Sequence, residues 1–191
     1  MKAPKARLPL GTLAMQVTTP VKRYVELVTE RTVQRFLLRL FLREAKLKGL
    51  YIVAPFIAAM SGSRFSLKHL RNKVETEQVS MYVVTREPLE AYQQEAMNLL
   101  LGSPWIEIRY NEFIHAKVYV ASAEREADSF ALFGSGNLTA RSIESNIELA
   151  MLVYSEGPGR EILRELHYWA GMRLRTLKES RLIQAIRARK R

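Results

Sequence analysis

An imidazole and an ammonium two residues apart are the first groups in this chain that could do chemistry. His115 and Lys117 lie in Phe113-Ile114-His115-Ala116-Lys117-Val118-Tyr119-Val120, and a glycine-rich run, Gly134-Ser135-Gly136-Asn137, follows with Thr139 and later Asn146-Ile147-Glu148. Strand alternation puts His115, Lys117 and Tyr119 on one face and Ile114, Ala116, Val118 and Val120 on the other, apolar one. An imidazole titrates near neutrality, so it can attack as a neutral nucleophile or donate as an acid, and the lysine keeps a positive charge beside it. The Gly134–Asn137 loop offers backbone N–H groups with little steric cover, a hydroxyl and an amide at the start of a short helix. All of these suit phosphate oxygens. Glu148 is the natural orienter of the imidazole, since a carboxylate bonded to the second ring nitrogen fixes the tautomer and stabilises the imidazolium. Taken singly, an H-x-K on a strand is usually an exposed polar face and a Gly-Ser-Gly-Asn usually a turn. His69 and His167 fall within helical patterns and read as packing or surface residues.

These groups need a scaffold, and the order of elements supplies one. Met1 to Val17 is basic and mildly apolar, but Pro9, Gly11 and Thr12 interrupt it, so residues 1–19 read as an arm and not a signal. Thr19-Pro20 looks like an N-cap and first helical residue. Val21, Val25, Val28, Phe36 and Leu40 follow at near-helical spacing until Lys46, Lys48 and Gly49, which predicts one long helix whose second half is buried in the core. Leu50–Ile57 and Val79–Val84 read as buried strands. Ser66 caps a helix between them with Phe65 and Leu70 as a hydrophobic staple, and Pro88 opens another helix to about Leu101. Strand and helix in alternation predict an α/β fold, a mixed, largely parallel sheet flanked by helices on both faces. Trp105–Tyr110 and the His115 strand are expected to form a hairpin across Asn111-Glu112. Ser122–Ser129 reads as a charged loop and Phe130–Phe133 as the strand that delivers the glycine-rich loop. On the last strand Ile147, Leu149, Met151 and Val153 are expected to point inward, with Glu148 opposite. A helix carrying Ile162, Leu163, Leu166, Trp169 and Ala170 leads into Arg173–Arg191. The domain reading is therefore 1–19 arm, 20–172 catalytic domain and 173–191 basic segment.

The 191 residues carry a net charge of +11 and a pI near 10.1, which favours a polyanionic partner, most often nucleic acid. Arg173, Arg175, Lys178, Arg181, Arg187 and Arg189 are the expected nucleic-acid contacts. There is no cysteine, which excludes disulfides, thiolate metal sites and cysteine nucleophiles and fits a reducing, cytoplasmic setting. No run is apolar and long enough to span a bilayer, so no membrane partner is expected.

Together, His115-x-Lys117 followed by Gly134-Ser135-x-Asn137, with Thr139 and Asn146-x-Glu148, resembles the signature of the phospholipase D superfamily and of its nuclease branches in particular. The resemblance covers Phe113 to Val153. It implies a mixed sheet flanked by helices and a phosphodiesterase that needs neither metal nor cofactor. His115 would attack phosphorus to give a phosphohistidine, Lys117 and Asn137 would hold the phosphate oxygens, Ser135 would support the loop, and Glu148 would orient the imidazole. Gly134, Ser135, Gly136 and Thr139 are then expected at the substrate. One position departs from the family's longer motif: Ser122 stands where an aspartate is usual, with Glu124, Glu126 and Asp128 as candidates to compensate. The chain holds a single motif, whereas the displacement needs an attacking group and a second group to protonate the leaving oxygen. A two-fold homodimer facing two motifs across its axis meets that need. The expected function is endonucleolytic cleavage of nucleic acid, DNA before RNA. The alternatives are a non-catalytic nucleic-acid-binding protein and a lipid transphosphatidylase.

Overall fold

The computed structural model describes residues 24–42, 45–61, 63 and 65–187. The arm at 1–19, the Thr19-Pro20 pair, Val21 and Arg189 lie outside the described residues. In chain order the elements are β1 (Val25–Glu30), α1 (Thr32–Leu42), β2 (Leu47–Val53), α2 (Leu67–Thr76), β3 (Ser80–Thr85), α3 (Ala91–Leu100), β4 (Ile106–Tyr110), β5 (Lys117–Ala123), β6 (Phe130–Gly134), α4 (Ala140–Glu144), β7 (Ile147–Tyr154), α5 (Gly159–Tyr168), α6 (Leu174–Thr176) and β8 (Arg181–Gln184). The strands form one mixed sheet in the order β1-β7-β6-β5-β2-β3-β4-β8. The parallel part is confined to β2, β3 and β4, which α2 and α3 connect. All other pairings are antiparallel.

One apolar cluster joins α1, α2 and α3 to one face of this sheet; a smaller one joins α5 and the segment after it to the other. Phe36, Leu37 and Leu40 of α1 are buried as expected, with the Phe36 ring between Tyr119 at 5.5 Å and Phe130 at 5.2 Å. Ser66 caps α2, its side chain accepting from the His69 backbone N–H, and Phe65 and Leu70 are both buried, as the staple requires.

Three expectations are corrected. The long helix is a strand followed by a shorter helix. Val25 and Val28 fit either pattern, but β-branched residues favour a strand, and the ladder from Val25↔Val153 to Glu30↔Ile147 decides it. Arg31, at φ 49°, turns the chain from β1 into α1. Secondly, β4 and β5 form no hairpin. β4 lies between β3 and β8, β5 lies between β2 and β6, and the link between them crosses the sheet end. Asn111 is buried in that link, where its Nδ2 donates to Ser180 Oγ at 3.0 Å. A polar pair between two alternating runs looks the same in a turn and in a crossover. Thirdly, the two faces of β7 are reversed: Glu148, Ala150 and Leu152 are buried, whereas Ile147 is 100% and Leu149 56% exposed. Both faces are apolar, so alternation could not rank them. Of the outward set only Val153 is covered, in the cluster that holds Leu163 of α5.

The basic C-terminal stretch is not a detached tail, because β8 completes the sheet beside β4. Arg175 donates from Nε and Nη2 to Glu107 at 2.7 and 2.6 Å, and its guanidinium lies 4.1 Å over the Tyr82 ring. Burial pushes the Glu107 carboxyl up, but the hydrogen bonds and charges of Arg175 and Arg109 outweigh it, so Glu107 titrates below its ordinary 4.5. A depressed carboxylate stabilises the fold above its unfolded pKa, and that stability is lost as pH falls through the folded value. We therefore expect Glu107→Gln to cost roughly 2–3 kcal/mol at neutral pH, between the values typical of exposed and fully buried pairs. Urea denaturation should show the variant and wild type converging as pH falls below the ordinary carboxylate range. A constant difference across pH would remove the ion pair as the cause.

Candidate active site

The antiparallel pairing of β5 with β2 and β6 brings the start of β5, the end of β6 and the start of β7 to the same end of the sheet as the C-terminal ends of β2, β3 and β4. In that ladder Lys117 stands opposite Gly134, and Gly134 opposite Ala150. His115 precedes the first residue of β5 and its ring is exposed, while its neighbour Ile114 is buried as an anchor. Arg86 Nε holds the Ile114 carbonyl at 2.9 Å. The Lys117 ammonium lies 3.5 Å from His115 Nδ1 and donates to the His115 carbonyl at 2.9 Å. Burial lowers the Lys117 pKa, the Glu148 charge raises it and Arg86 lowers it further, with a net fall.

Tyr119, on the strand face opposite Ile114, Val118 and Val120 as expected, supports the glycine-rich loop from below. It is fully buried and its hydroxyl donates to the Gly136 carbonyl at 2.8 Å. The two glycines are needed for close approach: a Cβ on Gly134 would meet the Leu149 carbonyl at 2.3 Å, and one on Gly136 would meet Thr32 Oγ1 at 2.8 Å. The expected row of free backbone donors is not there, because the Ser135 N–H is bonded to the Leu149 carbonyl and the Asn137 N–H to Ser142 Oγ. Side chains must therefore do most of the holding. Asn137 Oδ1 accepts from the Phe56 N–H at 3.4 Å, and among the described residues its Nδ2 carries no hydrogen bond, so both protons can meet a ligand. Thr139 caps α4, accepting from the Ser142 N–H, so its hydroxyl is engaged with the helix.

Glu148 is buried and accepts hydrogen bonds from Ser135 Oγ, from Ser142 Oγ at 3.1 Å and from Asn146 Nδ2 at 3.1 Å. Among the described residues no hydrogen bond joins it to His115. In this geometry the carboxylate braces the loop that presents Asn137, and it acts on the His115–Lys117 pair through its charge on Lys117. Sequence reasoning missed Ser142 and Arg86. Only Ser142 left a signal, since Thr139-x-x-Ser142 places its hydroxyl one turn beyond the cap. His69 is bonded to Ser66 and His167 packs edge-on against Tyr51, so neither joins the site. Ser122 lies five residues along β5 from Lys117, about 17 Å away in a strand. Of the carboxylates near it, Asp128 pairs with Arg125 and Glu126 with Arg164 at that distant end, and Glu124 is exposed there.

Of the expected nucleic-acid contacts, Arg175 is tied to Glu107 and Arg181 to Glu87. Arg173, Lys178 and Arg187 are exposed. Among the described residues no group of three or more His, Asp or Glu is placed to hold a metal ion.

A family model described as "Cardiolipin synthase, PLD-like domain" matches residues 38–170. The chain belongs to the phospholipase D superfamily. A comparison with curated proteins returns no match. Among solved structures, the phospholipase D family member Nuc from Salmonella typhimurium is similar at TM-score 0.57 and 18% identity, over 84% of this chain and 99% of Nuc. NucT from Helicobacter pylori is similar at TM-score 0.57 and 15% identity, over 83% of this chain and 98% of NucT. TrmBL2, an archaeal chromatin protein with a novel mode of DNA binding, reaches TM-score 0.50 at 13% identity over 88% of this chain and 57% of its own. At these identities the likeness establishes a phospholipase D fold. In this phospholipase D-like chain His115, Lys117 and Asn137 lie within the matched residues. No helix among the described residues is long and apolar enough to cross a membrane.

Proposed function

We propose that this chain is a phosphodiesterase that cleaves nucleic acid through a phosphohistidine on His115, in an active site shared by two copies of the chain. The observation that carries this reading is the convergence of His115, Lys117 and the Asn137 amide at one sheet end, on a loop braced by Glu148. In the first step a His115 nitrogen forms the bond to phosphorus, and the leaving oxygen departs with a proton from His115 of the second copy. In the second step that same histidine takes a proton from water, the water oxygen attacks phosphorus, and the P–N bond breaks. Lys117 and Asn137 stabilise the charge on the non-bridging oxygens, a role worth several kcal/mol in such sites.

Support for the second copy comes from the sheet. Ile147 and Leu149 on β7 are exposed together with Met151 and, opposite it in the ladder, Leu27 of β1. A contiguous apolar patch of this kind marks an interaction surface, and it borders the site, because the Leu149 N–H is bonded to Ser135 Oγ. A net charge of +11 supports a nucleic-acid substrate, as do the names Nuc and NucT and the DNA binding named for TrmBL2. The words "Cardiolipin synthase" in the family description favour a second reading, transfer on an anionic phospholipid.

Cleavage of circular single-stranded DNA, run beside nicking of supercoiled plasmid, tests both readings. Cleavage should continue in excess EDTA at close to the unchelated rate, with phosphatidylglycerol vesicles left unchanged. Strict dependence on an added divalent ion would sink the phosphohistidine mechanism, and turnover of the lipid alone would establish the second reading.

A further inference from the structure

Beside the catalytic loop lies a cleft of about 600 Å³, within the usual range for a small-ligand site. Asn137 lines it, so it opens directly from the position assigned to the phosphate. Its walls combine the rings of Phe56 and Tyr92, 38% and 46% exposed, with the amide of Asn146 and the guanidinium of Arg141. Among the described residues no Leu, Ile, Val or Met lines it, and neither does any carboxylate. Arg141 forms no ion pair among the described residues, and Asn146, whose Nδ2 is engaged with Glu148, has no donor on its Oδ1 there. The wall is held in register with the catalytic loop: Phe56 N–H bonds to Asn137 Oδ1, Ala58 N–H bonds to the Leu138 carbonyl at 2.9 Å, and Ile57 bridges to Leu138.

Such a lining is poorly matched to an acyl chain, which needs a continuous aliphatic surface. It matches a planar heterocycle with a polar edge. Aromatic faces stack on a base whatever its identity, an amide oxygen accepts from an exocyclic amino group or ring N–H, and an arginine meets the neighbouring phosphate. We propose that this cleft is a nucleobase subsite for the nucleotide next to the reacting phosphate, and that the enzyme therefore acts on single-stranded nucleic acid. The inference rests on the nucleic-acid reading given above and narrows it. A base in a duplex is already stacked and paired, so filling the cleft would require extrusion at a cost of a few kcal/mol. An unpaired strand avoids most of that cost.

The test measures binding by fluorescence anisotropy in a His115→Ala background, so that the strands are not cleaved. The probes are an all-thymidine strand, an abasic strand of the same length and a hairpin duplex. The thymidine strand should bind roughly 5- to 150-fold more tightly than the abasic one, the range that stacking one base gives. Tyr92→Ala should remove most of that preference and leave the abasic affinity unchanged, and Tyr92→Trp should keep it. Tyr92 is chosen because its side chain is exposed, whereas the Phe56 backbone also positions Asn137. Equal affinity for the thymidine and abasic strands, a duplex bound as tightly as the single strand, or an equal loss on both strands in Tyr92→Ala would each overturn the subsite while leaving the nuclease reading standing. Failure of both strands to bind would overturn both.

Discussion

Replacing His115 by alanine is expected to lower turnover by roughly 10⁴-fold while leaving strand affinity nearly unchanged. In the proposed mechanism each His115 side chain is either the group that bonds to phosphorus or the acid that releases the leaving oxygen, and the substitution deletes both from a homodimer. Acid–base participation alone contributes up to about 10⁴-fold, and loss of the nucleophile closes the covalent route as well. The ring is exposed and, among the described residues, its one side-chain neighbour within hydrogen-bonding reach is Lys117, so the fold should tolerate the change. Single-turnover cleavage, strand binding and thermal unfolding measured together check this. Quenching the wild-type reaction in base should also trap a protein–strand adduct that acid releases, as expected for a phosphoramidate. Variant turnover within tenfold of wild type, with no adduct, would remove His115 from the chemistry. Parallel loss of binding and of thermal stability would mean that the ring supports the fold.

Leu27→Lys should be almost as damaging although it lies on β1, away from the loop. Leu27 stands opposite Met151 in the ladder and its side chain is 62% exposed. In a monomer, a lysine there is harmless. At a two-fold interface the same change enters twice and places like charges in an apolar contact. At about 2 kcal/mol or more for each central position, the dimer would weaken by about 10³-fold. Activity per chain should then fall at low protein concentration and recover as concentration rises, with sedimentation showing the matching shift from monomer to dimer. Leu149→Lys should act likewise. Mixing wild type with excess His115→Ala chains adds a separate check, since activity should fall roughly with the fraction of wild-type homodimers. Heterodimers that keep half the wild-type turnover, or a fully active monomeric Leu27→Lys protein, would show that each chain holds a complete site.

What was legible from residues alone was local. His115-x-Lys117 and Gly134-Ser135-Gly136-Asn137 are short, and their chemistry follows from residue type, so the family could be read without knowing which strand lies next to which. The α2 cap at Ser66 and the core role of Phe36 were legible for the same reason, since caps and helical faces are set by neighbours within a few residues. Everything that depended on pairing between distant segments was decided by tertiary structure. The β1 segment carries β-branched residues at spacings that also suit a helix, and only the β7 ladder makes it a strand. β7 is apolar on both faces, so which side holds Glu148 depends on where α1 and α5 pack. Arg175 reads as a nucleic-acid contact in sequence, but the approach of β4 turns it into the partner of Glu107. The hydrogen bonds of Glu148 go to Ser135, Ser142 and Asn146, not to the imidazole. A motif states which groups are present, whereas a hydrogen bond requires a particular separation and angle, and those come only from the packed sheet and its loops.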